Sequence, residues 1–436
     1  MARRVKKETK KREKVERKQR KEEEQAAIEA ANRAKELEQQ RRLEKIHKQE
    51  EEREAMAKAV EVSVRMRFGS VDHRLKNIVR EESQLLAKGK GKAPEAIAST
   101  YGTANESDLE VLARWNRARA SLMMLPHFDC HTPMFMPVGT QGTVKGLTTT
   151  QLEELGCQVI LGNTYHLENR PGSDLIYQMG GLHKFMNWRR GMLTDSGGFQ
   201  MVSLLQLAEI TEEGVTFQSP VDGTRMLLTP EASIQIQNKI GADIIMALDD
   251  VVSSTVTGPR VEEAMHRTLR WIDRCIKGRD GEDTFLGFVW DLVEYAIGGV
   301  SGGEAKEAFW RVVEQCTAAL PENKPRYVMG VGYPLDILVC SALGADMYDC
   351  VYPTRTARFG TALIPEGVLK LKLAAMATDL RPIDPTCDCM FTEKMRNSII
   401  DGSFPEFVRD FLKKQFPAGD VPQWVCNALA AAGIQV

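Results

Sequence analysis

Two short stretches, far apart in the chain, hold the residues best suited to chemistry. In Leu193-Thr194-Asp195-Ser196-Gly197-Gly198-Phe199-Gln200, an apolar run ends on a carboxylate. The paired glycines then let backbone amides approach a ligand closely, and the Phe199 ring offers a face for stacking. In Asp346-Met347-Tyr348-Asp349-Cys350-Val351, a second carboxylate closes another short apolar run. Pro353-Thr354-Arg355-Thr356-Ala357-Arg358 follows at once, and its two guanidinium groups suit phosphate. Two carboxylates, an aromatic platform and a basic strip fit acid–base or nucleophilic chemistry on a base within a nucleic acid.

The elements that must position these groups alternate between strand and helix patterns, the mark of a parallel sheet. Val159-Ile160-Leu161 predicts a buried strand that ends in the polar Gly162-Asn163-Thr164-Tyr165-His166. Thr229-Pro230-Glu231 supplies an N-cap, a first-turn proline and a first-turn acid, predicting a helix to about Ile240 that stops at Gly241. Ile244 to Leu248 reads as the next strand, with Asp249-Asp250 at its C-terminal end. Tyr327 to Gly332 reads as another, followed by a helix from Leu335 to Leu343 and the strand of Asp349. Polar residues gathered at the C-terminal ends of successive strands suit an active site on a (β/α)8 TIM-type barrel. A doubly wound open sheet gives the same local pattern, so the residues favour the barrel without excluding that alternative. Singly, Asp195 reads equally as a turn residue and Asp249-Asp250 as loop caps. Asp349, set in an apolar strand end, is costly without a role.

Composition bounds the rest. The 436 residues are 43% hydrophobic, enough for a substantial core, and the net charge of −2 hides blocks of opposite sign. The first twenty residues hold eleven Lys or Arg against three Glu. Residues 1–108 read as a charged, partly helical or disordered extension and linker, with an RNA-facing arm or a partner-binding helix as the sharper alternatives. The catalytic domain is expected over 109–436. No run of about 18 apolar residues exists, so no membrane span is expected. Nine scattered cysteines fit a reducing compartment better than a disulfide framework.

Taken together, the motifs do what no single one does. LTDSGGFQMVSL (193–204), LDDVVSS (248–254), AIGGVSGGE (296–304), RYVMGVGYPLD (326–336) and DMYDCVYPTRTARFG (346–360) occur in this order. With MPVGTQGTVKGLT (136–148) and LGNTYHL (161–167), they make the chain from about Arg114 onward closely resemble the tRNA-guanine transglycosylases. It looks most like their eukaryotic, queuine-inserting catalytic members. The resemblance implies exchange of the wobble guanine of GUN-anticodon tRNAs for queuine on a (β/α)8 barrel. Asp349 matches the nucleophile that forms a covalent ester with ribose, and Asp195 matches the proton acceptor and donor. Asp349 must be ionised to attack and Asp195 must trade a proton, so their pKa values are expected to be pushed apart. Phe199 and Met329 would sandwich the purine, Asp249 would accept from its edge, and Ser196, Gly197, Gly198, Gly298 and Gly299 would line the pocket. RNA contacts are expected from Gly330, Val331, Gly332, Tyr333, Pro334, Leu335 and Asp336, and from Thr354, Arg355, Thr356, Ala357 and Arg358. Val251 stands where bacterial members usually carry Cys, which suits the bulkier queuine.

Two departures touch function. The family's pocket Gln has no counterpart between Gln237 and Gln315, and the interval 283–295 is too short for a parallel crossover. One strand–helix unit therefore reads as missing in whole or part. The family also binds structural Zn2+ through C-x-C-x2-C and a later His. Here Cys387-Asp388-Cys389 leads into Met390-Phe391-Thr392, no His follows His266, and the zinc-type subdomain (about 381–436) reads as truncated. An active queuine tRNA-ribosyltransferase and a catalytically impaired, tRNA- or partner-binding homologue both stay open. The resemblance further implies a heterodimer with a non-catalytic homologous subunit, in the cytoplasm and at the mitochondrial outer membrane.

Overall fold

The computed structural model describes residues 109–198, 208–218, 223–252, 258–278, 295–299, 303–384 and 391–436. The interval with the missing strand–helix unit and the Cys387/Cys389 pair both lie outside the described residues, as does the N-terminal extension.

An antiparallel sheet opens the described chain: β1 (Leu109–Trp115), β2 (Ala118–Met123) and β3 (Cys130–Thr132). Trp115 pairs with Ala118 across a two-residue loop, and Asn116 at φ 50° takes the left-handed conformation such a tight hairpin requires. The alternation of strand and helix therefore begins after this antiparallel sheet, not at the expected domain start at residue 109. β4 (Met134–Pro137) leads through α1 (Thr149–Glu154) to β5 (Val159–Asn163), then α2 (Thr164–Asn169), α3 (Ser173–Gln178) and α4 (Leu182–Met186). β6 (Gly191–Asp195) follows. A small antiparallel sheet of β7 (Ala208–Ile210), β8 (Val215–Gln218) and β9 (Arg225–Leu228) comes next. α5 (Pro230–Ile240) has the start and stop its sequence dictates, with Thr229 Oγ1 accepting from Ala232 N–H and Gly241 at φ 73°.

β10 (Ile244–Ile245), α6 (Pro259–Gly278), β11 (Tyr295–Ile297) and α7 (Lys306–Ala319) continue the alternation. Then come β12 (Arg326–Val328), α8 (Pro334–Ala342), β13 (Met347–Cys350) and α9 (Tyr352–Arg358). A hairpin, β14 (Thr361–Ile364) and β15 (Gly367–Lys370), precedes the closing helices α10 (Phe391–Ile400), α11 (Phe404–Gln415) and α12 (Gln423–Ala431).

Parallel pairing runs β10-β6-β5 and β4-β13-β12-β11, and a bridge between Val138 and Leu161 joins the two sets. Met134 and Met136, Val159 and Leu161, Leu193, Ile244, Tyr327 and Met347 meet in one buried cluster, with Ala296 packed against it. Side chains of all seven parallel strands among the described residues thus share one interior, which requires the sheet to curl. Each fully buried side chain of this kind stabilises by roughly 1.5–3 kcal/mol.

Asp346 fixes the register of β13. Its buried carboxylate accepts from Arg119 Nε (2.8 Å) and from the Arg326 backbone N–H (2.8 Å), while its backbone pairs with Met134 and Arg326. That lock lies three residues before Asp349. The C-terminal helices are held by apolar burial: Met395, Ile399, Phe404, Val408, Leu412, Val425 and Leu429 all join the cluster around α8.

Candidate active site

Asp349 stands at the C-terminal end of β13. Its Oδ1 accepts from the Tyr327 hydroxyl at 2.5 Å and from the Gly330 backbone N–H at 2.8 Å. Gly330 sits at φ 76°, a conformation that suits glycine. Both of these bonds fall on Oδ1 rather than Oδ2. Burial raises the Asp349 pKa above the ordinary carboxylate value, and the Tyr327 and Gly330 donors oppose the rise.

Asp195 ends β6, two strands from β4, and pairs in register with Asn163 of β5. Its Oδ1 accepts from the backbone N–H groups of Thr164 and Gly197, each at 3.1 Å, and its Oδ2 accepts from Asn163 Nδ2. Asn163 cannot turn its amide round, because its Oδ1 accepts from His166 N–H at 2.9 Å as the cap of α2. Although the residue keeps some solvent access, enclosure of its carboxyl group pushes the pKa up to about 7 despite three donors, and the charge of Asp349 adds to the rise. The two acids end strands, β6 and β13, whose side chains share one interior. Burial raises both pKa values, that of Asp195 up to about 7.

The wall beside Asp195 is built by close approach. Ser196 Oγ donates to Asp249 Oδ1 at 3.4 Å and accepts from Gly198 N–H at 3.1 Å. A Cβ at Gly198 would lie 2.8 Å from Asp249 Oδ1, and one at Gly197, which has φ 80°, would meet Leu228 at 3.0 Å. Asp250 turns the other way, into a buried ion pair with Arg260 and Arg267 that ties the strand end to α6. Across the site, Met329 Sδ lies 3.5 Å from where a Gly298 Cβ would be, and Gly299 has open space at φ 73°. Phe199 lies outside the described residues.

The segment from Gly330 to Asp336 is less available to RNA than its sequence predicts. Val331 and Leu335 are buried in the core around α8, and Gly332 packs on Cys350 so tightly that a Cβ would come within 2.2 Å of it. Asp336 is paired with Lys306 at 2.6 Å. Tyr333 and Pro334 keep partial exposure. On α9, Arg355, Ala357 and Arg358 are exposed and Thr354 and Thr356 are half-buried.

Asn163, Thr164 and Tyr327 join the site as residues the sequence reading did not assign. The first two were visible only as a polar strand end, and Tyr327 only as part of an apolar run.

The metal-capable cluster among the described residues is His127, His183 and Asp243, at the opposite end of the strands. His127 Nδ1 lies 2.6 Å from Asp243 Oδ1, and His183 Nε2 lies within 3.1 Å of both Asp243 Oδ2 and the Arg190 carbonyl. These nitrogens are already engaged, so the trio reads as a hydrogen-bonded pin. The Asp243 bond raises the His127 pKa; burial alone would raise that of Asp243, but the two histidines hold it below its ordinary value. The other thiol donors named from the sequence, Cys387 and Cys389, lie outside the described residues. Cys426 lies within α12.

Residues 115–291 and 286–394 match the family described as Queuine tRNA-ribosyltransferase. The chain belongs to that family. The two matched blocks meet inside the interval that reads as short. The Queuine tRNA-ribosyltransferase catalytic subunit of Schizosaccharomyces pombe is 43% identical over 75% of this chain and 97% of the relative. That of Caenorhabditis elegans is 51% identical over 64% of this chain and 75% of the relative. The Queuine tRNA-ribosyltransferase of Thermus thermophilus is 42% identical over 74% of this chain and 98% of the relative.

Proposed function

We propose that this family member replaces guanine at the wobble position of GUN-anticodon tRNAs with queuine through a covalent Asp349–ribose ester. The observation that carries the reading is the pair of enclosed carboxylates, Asp195 and Asp349, at the C-terminal ends of strands with a common interior. Asp349 Oδ2 attacks ribose C1′, and the glycosidic electron pair leaves with guanine, which takes a proton from Asp195. Queuine then returns a proton to Asp195 and attacks C1′, releasing the Asp349 carboxylate. A pKa near 7 suits a group that must both give and take a proton at neutral pH.

In this reading Asp249 accepts from the purine edge, Ser196, Gly197, Gly198, Gly298 and Gly299 line its slot, and Phe199 and Met329 cover its faces. Arg355 and Arg358 hold the anticodon phosphates. The seven described parallel strands belong to a (β/α)8-type barrel in which one strand–helix unit is missing in whole or part. The working form is a heterodimer with a non-catalytic homologous subunit, in the cytoplasm and at the outer mitochondrial surface. No helix among the described residues is long and apolar enough to cross a membrane.

Exchange of labelled guanine into a GUN-anticodon tRNA tests the reading, with and without the partner subunit. The short interval and the incomplete C-x-C motif favour a second reading, an impaired homologue that binds without catalysis. A rate no higher than that of Asp349→Asn would support that alternative.

Two variants probe the site's construction. Gly198→Ala should displace Asp249, since its Cβ would fall 2.8 Å from the carboxylate. The KM for free guanine should rise about tenfold or more, as for other buried hydrogen bonds to charge. An unchanged KM would separate Asp249 from base recognition. Tyr327→Phe removes a donor that holds the Asp349 pKa down. The acid limb of the kcat/KM profile should move to higher pH while the limb near 7 stays, with roughly ten- to hundredfold loss at pH 6. A uniform loss at all pH values would contradict that role.

A further inference from the structure

We propose that Phe359 is a stacking platform for a base of the bound RNA strand other than the exchanged nucleotide. The proposal rests on the tRNA reading above and assigns a residue outside its anticipated contacts. Phe359 follows α9 directly and its side chain is 66% exposed. The ring is held by its surroundings. Leu371 N–H donates to the Gly360 carbonyl at 2.8 Å, folding the β14–β15 hairpin back onto the turn. Lys372 then lies across it: a Cβ at Gly360 would come within 2.7 Å of Lys372 Cγ, and Lys372 Nζ sits 6.0 Å over the Phe359 ring. Residues 352–372 hold Arg355, Arg358, Lys370 and Lys372 against one carboxylate, Glu366. All four cations are exposed. An open aromatic face among cations is the composition that binds single-stranded RNA, phosphates to the charges and a base to the ring.

The reach also fits. α9 is seven residues long and spans about 10 Å at 1.5 Å per residue, and Phe359 caps the end of it away from β13, which carries Asp349. A protein partner resting on Phe359, Leu371 and Leu373 is the competing occupant. The density of cations around the ring favours RNA.

The test uses the full chain with its partner subunit and a GUN-anticodon tRNA, measuring both Kd and the exchange rate at saturating tRNA. Phe359→Ala and Phe359→Leu should weaken binding roughly five- to 150-fold, the range for losing one base–aromatic stack, with the saturated rate within twofold of wild type. Phe359→Trp should bind like wild type. Affinity within twofold of wild type in the Ala or Leu variant would overturn the proposal. So would full affinity with loss of subunit association, which would assign the ring to a protein contact. A wild-type chain that exchanges no base would instead defeat the transglycosylation reading itself.

Discussion

Asp349→Asn is expected to lower base exchange at least about a thousandfold, the scale seen when a covalent nucleophile is removed. The substitution is nearly isosteric, and its amide oxygen can still accept from Tyr327 and Gly330, the two donors that hold Oδ1 at 2.5 and 2.8 Å. What disappears is the anionic Oδ2. Fold and tRNA affinity should therefore stay close to wild type, while the exchange rate falls. A variant that keeps more than a tenth of the wild-type rate would remove Asp349 from the chemistry.

Asp195→Asn is expected to cost about 10²–10⁴ in exchange rate, the usual contribution of a positioned acid–base group. It should also change the pH dependence of stability, and the sign is fixed by linkage. A carboxyl group raised to about 7 in the folded chain binds a proton that the unfolded chain has lost above about 4. Its contribution to stability is fully present below pH 4 and is lost as the pH rises through 7, with an upper bound of about 4 kcal/mol. The variant should lose that dependence, so its Tm relative to wild type should rise between pH 5 and 8. Part of the gain will be offset, because the new amide donor would face Asn163 Nδ2, whose own oxygen is committed to His166. Parallel Tm curves for the two proteins would place the Asp195 proton elsewhere.

Local signals carried much of this site in the sequence. Both acids end apolar runs short enough to be strands, and Thr229-Pro230 and Gly241 mark the ends of α5. Contacts that depend on strand register were not legible. Asn163 meets Asp195 because β5 and β6 pair in one register, and Tyr327 meets Asp349 across β12 and β13, 22 residues away. The choice between Asp249 and Asp250 rests on Arg260 and Arg267, which draw Asp250 into α6. A contiguous motif from Gly330 to Asp336 reads as one surface. The fold splits it, because Val331, before α8, and Leu335, within it, are buried in the core. The His127–Asp243–His183 pin joins residues up to 116 apart, and no spacing rule links them.

The central claim is that Asp349 reaches a ribose carbon while Asp195 serves the same base. Incubating the wild-type chain with a GUN-anticodon tRNA, quenching in denaturant and mapping the RNA-bearing peptide by mass spectrometry tests it most directly. The expected result is one ribose ester, on Asp349, that accumulates less once queuine is supplied. An ester on Asp195, or steady exchange with no protein–RNA adduct, would contradict it.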